Sequence, residues 1–471
     1  MSAIPDLLRI GSIPSNLNMS VETGILDPVV QNDNFIRFNM KRAGFLHSNS
    51  KLVLSLSKNS ATAAAATTAL AAGQHTFFPP NVGVGSLIER VRLLSGNTVI
   101  QEIQDWSHLQ AFKSTLISNE NNKEREQYTT GRVINLELDY KKPGDEDEAD
   151  GISIGNGLEY SNAAVATYDT TLTNWSRDLP RQFYLEHEPT YQISLSDLCP
   201  FLKQTQLPLF MFEEEIFLEI TYTDQDRRTV MNPEQTADDA TVRYSVNQAE
   251  SKLIIDYITY PNETMEAWAN ANKNLQFQYT DYELSKFTVS KSAANSGIIR
   301  NIGGAGRVVN KCLMALSRDA LGQEKLCGNN EAIHPVYHAT TSQERVITNL
   351  RYNDEYLYPI DVKNDAYHFN NCLQSEGQPL MITRDMYCGQ GNATGLRKFE
   401  GIAIANAANG IKNDFFYQSL KLNKNPRINQ KGIELYQTII DTEDVASTMR
   451  VWIEVMKVAT LVDGKLRSTY L

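Results

Sequence analysis

Short apolar runs with an alternating pattern dominate the chain. Between residues 216 and 222, Ile216, Leu218 and Ile220 would share one face of an extended strand, and the residues between them the other. Asn, Thr and Gly separate such runs along the chain, and no long amphipathic helix pattern occurs. Many short strands divided by turn residues are typical of an all-β sandwich or barrel.

A hairpin followed by a short helix is predicted near residue 100. The apolar run 87–94 turns at residues 95–97, which read Ser-Gly-Asn, and returns over 99–103. Asp105 can then cap a helix, since apolar residues recur every three or four positions after it, at Trp106, Leu109, Phe112 and Leu116.

The C-terminal segment has the clearest strand pattern. It alternates two sets of side chains, Val451, Ile453 and Val455 against Trp452, Glu454 and Met456. Asp463 and Gly464 can form a tight turn, after which 465–471 would pair back as a hairpin.

A boundary between two large domains is predicted near residues 261–275. The apolar, β-branched segment 253–260 stops at Pro261, and Asn262 is placed to be the N-cap of a helix with one apolar face, formed by Met265, Trp268 and Ala269. We therefore predict an N-terminal arm, a first β domain, a linker helix and a second β domain, at residues 1–27, 28–261, 262–274 and 275–471.

A weak internal repeat agrees with two domains of similar size. Asp105 and His108 are matched by Asp365 and His368, a spacing of 260 residues (from 105 to 365). In both places an extended run precedes the repeat and a helix-like stretch follows it.

Charge argues against generic nucleic-acid binding. The chain of 471 residues has 44 Lys and Arg against 56 Asp and Glu, a formal charge of −12, and a pI near 5.2. Such a surface repels phosphate backbones, although a local basic face stays open. No specific nucleic-acid binding is predicted.

Cysteine usage indicates folding in a reducing compartment. The five cysteines include no Cys-x-x-Cys pair, so neither a disulfide framework nor a zinc ribbon is expected. We predict free and mostly buried thiols at Cys199, Cys312, Cys327, Cys372 and Cys388.

The sequence contains no recognisable targeting or membrane segment. Residues 1–9 lack the basic and apolar regions of a secretory signal, and Ser2 does not fit the myristoylation motif. No run approaches the roughly 18 apolar residues of a membrane helix. We expect no membrane insertion.

Two glycine- or acid-rich segments superficially resemble binding loops. A calcium loop that began at Asp145, in the acidic run 145–151, would require an oxygen ligand at position 5, Gly at position 6 and Glu at position 12. The sequence has Ala149, Asp150 and Asn156 at these positions. The run from Gly303 to Gly306 has Val309 where the dinucleotide fingerprint requires Gly or Ala, and lacks the P-loop Lys-Ser/Thr pair. A solvated charge run and a flexible turn are predicted instead.

Three further groups have residue types that occur in catalytic or metal-binding sites. His334 and His338 lack the helical setting and the Glu of a zinc-protease motif. Neighbouring carboxylates in Glu213–Glu215 would point to opposite faces of a strand, and Cys199 before Pro200 suggests packing. No catalytic, cofactor-binding or metal-binding residue and no cofactor are predicted, and the protein is expected not to be an enzyme.

The order of these segments resembles the double jelly-roll major capsid proteins of virophages and polinton-like viruses, which are small eukaryotic double-stranded DNA viruses. The resemblance spans nearly the whole chain and rests on patterns of hydrophobicity and turn residues in the segments 86–103, 207–222, 253–260 with its capped helix, 349–359 leading into 365–369, 399–404 and 452–471.

The resemblance implies an all-β fold of two consecutive eight-stranded jelly rolls, with short helices and long loops. It implies a structural subunit that forms a homotrimer of pseudo-hexameric outline within an icosahedral virion capsid. Neighbouring capsomers, penton proteins and minor capsid proteins would be its partners, and it would be made in the cytoplasm or nucleus of the infected cell. The long loop 141–178 would then be an outward tower.

Two other classes of protein stay open at this stage. A glycan-acting hydrolase or amidase on two jelly rolls would need a cleft with paired carboxylates of shifted pKa. A monomeric lectin would need aromatic and polar residues around a shallow site.

Overall fold

The computed structural model describes most strands of the chain and several of its connections. The described residues are 19–32, 34–60, 83–117, 129–130, 138–140, 152–154, 158–160, 190–203, 207–223, 242–246, 250–289, 296–318, 346–361, 365–376, 417–422, 424–439 and 447–471. The acidic run 145–151, His334, His338, Cys327, Cys388 and most of the loop 141–178 lie outside them.

Strands make up most of the described residues before Pro261. They are β1 (Ser20–Leu26), β2 (Val30–Asn32), β3 (Phe35–Met40), β4 (Phe45–Leu46), β5 (Lys51–Ser60), β6 (Ile88–Ser95), β7 (Thr98–Gln104), β8 (Leu138–Tyr140), β9 (Ile152–Ile154), β10 (Leu158–Tyr160), β11 (Thr190–Ser194), β12 (Ile216–Tyr222), β13 (Val242–Val246) and β14 (Lys252–Thr259). The helices are α1 (Trp106–Ile117) and α2 (Leu195–Leu198).

The second half begins with helix α3 (Asn262–Ala271) and is otherwise mostly β-sheet. Its strands are β15 (Asn274–Val289), β16 (Ser296–Gly303), β17 (Val309–Arg318), β18 (Val346–Tyr352), β19 (Glu355–Tyr356), β20 (Tyr417–Lys421), β21 (Ile433–Ile439), β22 (Ser447–Val462) and β23 (Lys465–Tyr470), with helix α4 (Asp365–Glu376) between β19 and β20.

Both halves repeat the same strand order. In the first half, one sheet runs β1-β14-β5-β11 and the other contains β3-β12-β6-β7. In the second half, the sheets run β15-β22-β17-β20 and β16-β21-β18-β19. The eight strands named here for each half can be numbered 1 to 8 in chain order. Each half then has one sheet in the order 1-8-3-6 and one in the order 2-7-4-5. This is the jelly-roll arrangement, and the predicted fold class is confirmed.

Each jelly roll buries the faces that its alternating sequence predicts. Ile216, Leu218 and Ile220 are buried in the first sandwich, while Phe217 on the opposite face is partly exposed. The predicted hairpin is formed by β6 and β7, with Gly96 at φ +55° in its turn. The C-terminal hairpin is formed by β22 and β23, as predicted.

The helix after Pro261 begins one residue earlier than its predicted cap implies. Asn262 is the first helical residue, and the N-cap is Pro261, whose backbone is extended at φ −52° and ψ 140°. The N-cap prediction for Asn262 is therefore wrong: proline fixes φ and its extended ψ already supplies the cap geometry, without a side-chain hydrogen bond. The apolar face is confirmed, since Trp268 packs edge-on against Phe45 with ring centroids 5.1 Å apart.

The N-terminal strand belongs to the first sandwich. β1 pairs antiparallel with β14 along its whole length, from Ser20 opposite Thr259 to Leu26 opposite Leu253. The range 1–27 predicted as an arm thus includes one strand of the β1-β14-β5-β11 sheet. The proposed division into arm, two domains and linker helix otherwise stays a prediction.

Gly44 offers a test of close backbone packing in the first sandwich. It has φ +51°, and a Cβ there would collide with the carbonyl oxygen of Ile258. Gly96 is a matched control, because its φ is +55° but a Cβ would meet only the side chain of Glu214, at 3.4 Å. We expect Gly44→Ala to lower the free energy of unfolding by about 1–3 kcal/mol more than Gly96→Ala, because both bear the left-handed backbone penalty but only Gly44 adds a collision with backbone. Urea unfolding of both variants measures this, and equal losses would contradict it.

Candidate assembly interface

Strand β22 is buried on both sides. Val451, Ile453 and Val455 belong to the core of the second sandwich. Trp452 is fully buried in a cluster that also contains the core of the first sandwich. A strand covered on both faces needs apolar residues in succession, which explains the nearly continuous apolar run at this point of the sequence.

The two sandwiches meet edge to face. β7 is the edge strand of the β3-β12-β6-β7 sheet, and its free carbonyl groups accept hydrogen bonds from side chains of the second half. Tyr279 Oη donates to the carbonyl oxygen of Ile100 at 2.6 Å, and Trp452 Nε1 donates to that of Gln104 at 3.3 Å. An open sheet edge is a site where another chain can pair, and here the second sandwich covers it. We call this contact the internal joint.

Gln101 links both halves at the centre of the internal joint. Its Nε2 donates to the carbonyl oxygen of Thr280 at 2.8 Å and to Asp281 Oδ1 at 3.1 Å. Its Oε1 accepts from Cys199 Sγ and from the backbone N–H of Phe201, both at 2.9 Å. All the hydrogen-bonding capacity of this amide is therefore used. A fully satisfied buried amide fixes the relative position of the groups around it.

Asp281 forms a buried ion pair beside Gln101. Its Oδ2 accepts a hydrogen bond from Lys457 Nζ at 2.5 Å, and both side chains are almost fully buried. Burial raises the pKa of Asp281. The positive charge of Lys457 and the hydrogen bonds donated to the Asp281 carboxylate lower this pKa, but they offset the effect of burial only in part. The ion pair therefore lies where an unpaired charge would be strongly unfavourable.

Asp105 forms a second ion pair across the internal joint. It directly precedes α1 at φ 48°, and its Oδ2 lies 2.8 Å from Arg450 Nε and 3.3 Å from Lys286 Nζ. Burial alone would raise its pKa, but the charges of His108, Arg450 and Lys286 lower it to about 2. The helix starts where the sequence predicts, and the carboxylate pairs with the second sandwich.

The low pKa of Asp105 predicts a defined loss of stability in acid. Because the folded pKa of about 2 lies below the usual 3.8, the pair stabilises the protein above pH ~4 and this contribution disappears as the pH falls through 2. We expect Asp105→Asn to lower the free energy of unfolding at pH 7 by about 2 kcal/mol, and the difference from wild type to shrink below pH ~4. Urea unfolding at several pH values measures this. Asp354→Asn, in an exposed pair with Lys431, is the control and should change little; a difference for Asp105→Asn that does not vary with pH would contradict the assignment.

The structure places Gly303–Gly306 between two strands and Glu213–Glu215 directly before strand β12. Gly303, Gly304 and Gly306 make the turn between β16 and β17 with positive φ values, as the predicted turn requires. Glu214 accepts a hydrogen bond from Ser95 Oγ at 2.9 Å, and the two glutamates beside it are exposed.

The described cysteines are buried, as predicted. Cys199, Cys312 and Cys372 are free thiols inside the protein. Burial raises the pKa of Cys199 and raises that of Cys312 to about 12, so these thiols are poor nucleophiles at neutral pH. Within the described ranges, no group of His, Cys, Asp and Glu is arranged to hold a metal ion. None of the helices in that part of the chain has the length and apolar character needed to cross a membrane.

None of the residues of the internal joint is predicted as functional from the sequence. The sequence does contain one local signal on strand β22, a charged residue inside an apolar strand. Glu454 lies between Ile453 and Val455, is buried, and accepts a hydrogen bond from Tyr282 Oη at 2.8 Å. Tyr282 and its ionic partner Lys311 lie on the neighbouring strands β15 and β17 of the same sheet, so this charge is paired within the second sandwich and does not indicate the internal joint.

Two exposed apolar surfaces lie outside the internal joint. On β1, Val21 and Ile25 are 49% and 63% exposed. On the second jelly roll, Tyr356 and Ile360 are 55% and 69% exposed, beside a shallow hollow of about 430 Å³. Most of the side chains that line this hollow are aromatic, aliphatic or carboxamide side chains. The lining residues are Ile299, Ile347, Asn349, Tyr356, Tyr358, Pro359, Asp361, Tyr436, Gln437 and Thr438.

Comparison with known proteins identifies the fold. No family model and no curated protein matches the chain. Among solved structures, a chain of the 3.5 Å cryo-EM structure of the Sputnik virophage matches with a TM-score of 0.59 and 11% identity, over 96% of this chain and 88% of the other. VP54 of the virus PBCV-1, fitted into a reconstruction of Sputnik, matches with a TM-score of 0.50 and 10% identity, over 97% of both chains.

The chain has the double jelly-roll fold. The mavirus major capsid protein also aligns, over 95% of this chain and 90% of its own, with 9% identity and a TM-score of 0.46. The repeated strand order and the near-complete coverage of the Sputnik and PBCV-1 chains agree, so the fold implied by the resemblance in the sequence is confirmed.

Proposed function

We propose that this double jelly-roll protein is the major capsid protein of an icosahedral double-stranded DNA virus. One observation carries the proposal: two sandwiches of identical strand order are fixed side by side by a buried internal joint. Solved structures that match this chain over nearly its whole length include virus structures, among them that of the Sputnik virophage. A shell subunit needs a fixed shape and surfaces for adhesion; the internal joint supports the first, and exposed apolar side chains support the second.

The proposed assembly is a homotrimer. Three copies with two jelly rolls each would give a capsomer of pseudo-hexameric outline, which would contact neighbouring capsomers, penton proteins and minor capsid proteins in the virion. Obligate interfaces of this kind commonly bury ~2,000–5,000 Å² and are apolar. The exposed Val21, Ile25, Tyr356 and Ile360 supply apolar area for such contacts. The role is structural, without catalysis or a cofactor.

The glycan-acting hydrolase gains no support from the comparisons. Among the described residues, the buried carboxylates Glu219, Asp281 and Glu454 and the largely buried Asp105 each pair with a cationic side chain. The lectin alternative has one observation in its favour, the hollow with three tyrosines beside Asn349 and Asp361. Both Asn349 amide hydrogens are already donated, to Tyr358 O and Asp361 Oδ1, each at 3.0 Å.

Electron microscopy of the purified protein tests the proposal. We expect particles with a hexagonal outline, or closed shells of them. Isolated two-lobed particles at every protein concentration would contradict it. Binding to an array of neutral glycans by such isolated particles would favour the lectin.

A further inference from the structure

The two jelly rolls point in the same direction. Strand β7 runs from Thr98, whose hydroxyl accepts a hydrogen bond from Arg467 at 3.2 Å, to Gln104, whose carbonyl accepts one from Trp452. Arg467 pairs opposite Thr460, so β7 starts beside the last part of β22 and ends beside its earlier part. The β6–β7 turn therefore lies toward the end at which β22 finishes, and we call this the short-turn end.

The turn before β17 lies on the same side. β17 begins opposite Val455 and ends opposite Ser447, so the preceding turn, residues 303–308, is on the side toward which β22 runs. The connection from β7 to β11 leaves from the opposite end, beyond Gln104, and contains the loop 141–178 that is predicted to be an outward tower. If that loop projects outward, the short-turn end faces the interior of the shell.

Three connections of the second jelly roll form one hydrogen-bonded unit at the short-turn end. Ile428 N–H donates to Arg307 O at 2.9 Å, and Gly306 N–H donates to Ile428 O at 3.0 Å. The β18–β19 turn joins them, since Asn353 Nδ2 donates to Arg427 O at 3.1 Å. We call this unit the basic platform, and it consists of residues 303–308, 353–354, 421–422 and 424–432.

The basic platform carries three cations without acidic partners. Lys421, Lys424 and Arg427 are exposed and form no ion pair with any residue that the structure describes. The two other cations of the platform are paired with carboxylates, Lys431 with Asp354 and Arg307 with Glu283 of β15. An exposed cation that no neighbouring carboxylate neutralises is available to an anionic partner.

The equivalent connection of the first jelly roll has the opposite charge. Between β20 and β21 the sequence holds three cations and no carboxylate. The equivalent connection, between β11 and β12, holds Lys203 against four carboxylates, which are Asp197, Glu213, Glu214 and Glu215. In a chain with a formal charge of −12, the platform is therefore a local exception and not part of a generally basic surface.

The surface composition of the platform fits a phosphate backbone. Besides its cations it exposes the carboxamides of Asn353, Asn425 and Gln430, while Leu422 and Ile428 are buried. Lys, Arg and carboxamide side chains are the donors that bind phosphate oxygens in nucleic-acid complexes. Binding in a membrane surface depends in addition on exposed apolar area, so the platform fits a nucleic acid better than a lipid bilayer.

We propose that the basic platform binds the phosphate backbone of double-stranded DNA, without sequence preference, on the inner side of the shell. The inference rests on the proposed function. The six residues from Lys421 to Arg427 span at most about 22 Å, and a duplex carries one phosphate charge per ~1.7 Å of its axis. All three free cations can therefore meet phosphates of one duplex. Many copies in one shell would add up contacts that are individually weak.

Salt-dependent DNA binding tests the inference. The full-length chain is titrated into a fluorescein-labelled duplex of arbitrary sequence, and anisotropy gives the affinity at several salt concentrations. The variant Lys421→Gln, Lys424→Asn, Arg427→Gln removes the three charges; Asn is chosen at 424 because φ is +62° there and Asn tolerates positive φ. Each phosphate contact contributes about 0.9 to the slope of log affinity against log salt. From ~50 to ~200 mM salt, wild type should therefore lose about 40-fold more affinity than the variant.

Two control variants separate the platform from charge in general. Lys203→Gln removes an exposed lysine from the equivalent, acidic connection and should leave the salt dependence of wild type unchanged. Lys421→Arg, Lys424→Arg, Arg427→Lys keeps all three charges and should bind like wild type. An equal salt dependence of wild type and the charge-removing variant overturns the inference, and so does a loss of binding with Lys203→Gln as large as that of the triple variant.

A measurement on wild type alone avoids any dependence on folding of the variants. Bound duplex should protect Lys421 and Lys424, but not Lys203, from acetylation detected by mass spectrometry, and equal acetylation with and without DNA overturns the inference. Binding to vesicles of phosphatidylserine and phosphatidylcholine without binding to the duplex also overturns it, in favour of a membrane. A wild type that assembles but binds no DNA at ~50 mM salt defeats the inference and leaves the proposed function standing.

Discussion

Trp452→Ala should lower the free energy of unfolding by about 3–5 kcal/mol. The side chain is fully buried between the two sandwiches, and its indole N–H satisfies the carbonyl oxygen of Gln104 at the β7 edge. The substitution leaves a cavity in the internal joint and a buried carbonyl without its donor, and both effects destabilise the fold. Guanidinium unfolding followed by fluorescence and circular dichroism measures the loss.

Two comparisons show whether the effect of Trp452→Ala comes from the internal joint. Trp452→Phe keeps much of the volume and should lose clearly less. Trp268→Ala changes a tryptophan on α3 that is only partly buried, so its loss should be smaller too. A cost below ~1 kcal/mol for Trp452→Ala would mean that the two sandwiches do not stabilise each other through this residue.

Lys457→Met should be nearly as damaging at neutral pH. The substitution leaves the carboxylate of Asp281 buried without its cation, and removal of one partner of a buried pair typically costs about 3–5 kcal/mol. The double variant Lys457→Met, Asp281→Asn should recover part of this loss, because no buried charge remains. Urea unfolding at pH 7 measures both variants, and Lys431→Met in the exposed pair with Asp354 should change little.

The deficit of Lys457→Met, like that of Asp105→Asn, should shrink in acid, but for a different reason: protonation of Asp281 relieves the variant, whereas protonation of Asp105 destabilises the wild type. The folded pKa of Asp281 is raised, so the protonated form is favoured in the folded protein, and loss of Lys457 raises the pKa further. The deficit of Lys457→Met relative to wild type should therefore shrink as the pH falls from 7 through this raised pKa. A deficit that stays constant or grows in acid would show that Asp281 is not the group responsible.

Local sequence patterns predicted strand β12 and the hairpin of β6 and β7, because these elements have an alternating buried face or a specific turn residue. Ile216, Leu218 and Ile220 are buried by alternation alone, and the hairpin turn at Gly96 requires a residue that tolerates positive φ. The cap prediction at Asn262 failed because it assumed a side-chain cap, whereas the extended backbone of Pro261 precedes the helix without any side-chain cap hydrogen bond.

The internal joint could not be predicted from local patterns. Asp105 and Arg450 are 345 residues apart, and they meet only because the second sandwich presents β22 to the edge of β7. Gln101 looks like an ordinary polar residue of a hairpin, yet its amide bonds to Thr280 and Asp281 of the other half. The charge of Glu454 within an apolar strand indicates a partner, but that partner, Lys311, lies on the next strand of the same sheet and not across the internal joint.

The solution mass of the purified full-length chain, measured by size-exclusion chromatography with light scattering, tests the capsid proposal most directly. The proposal predicts a stable mass of about three times 53.0 kDa, in line with the small closed assemblies that symmetric oligomers form. A well-folded monomer at every concentration would contradict it.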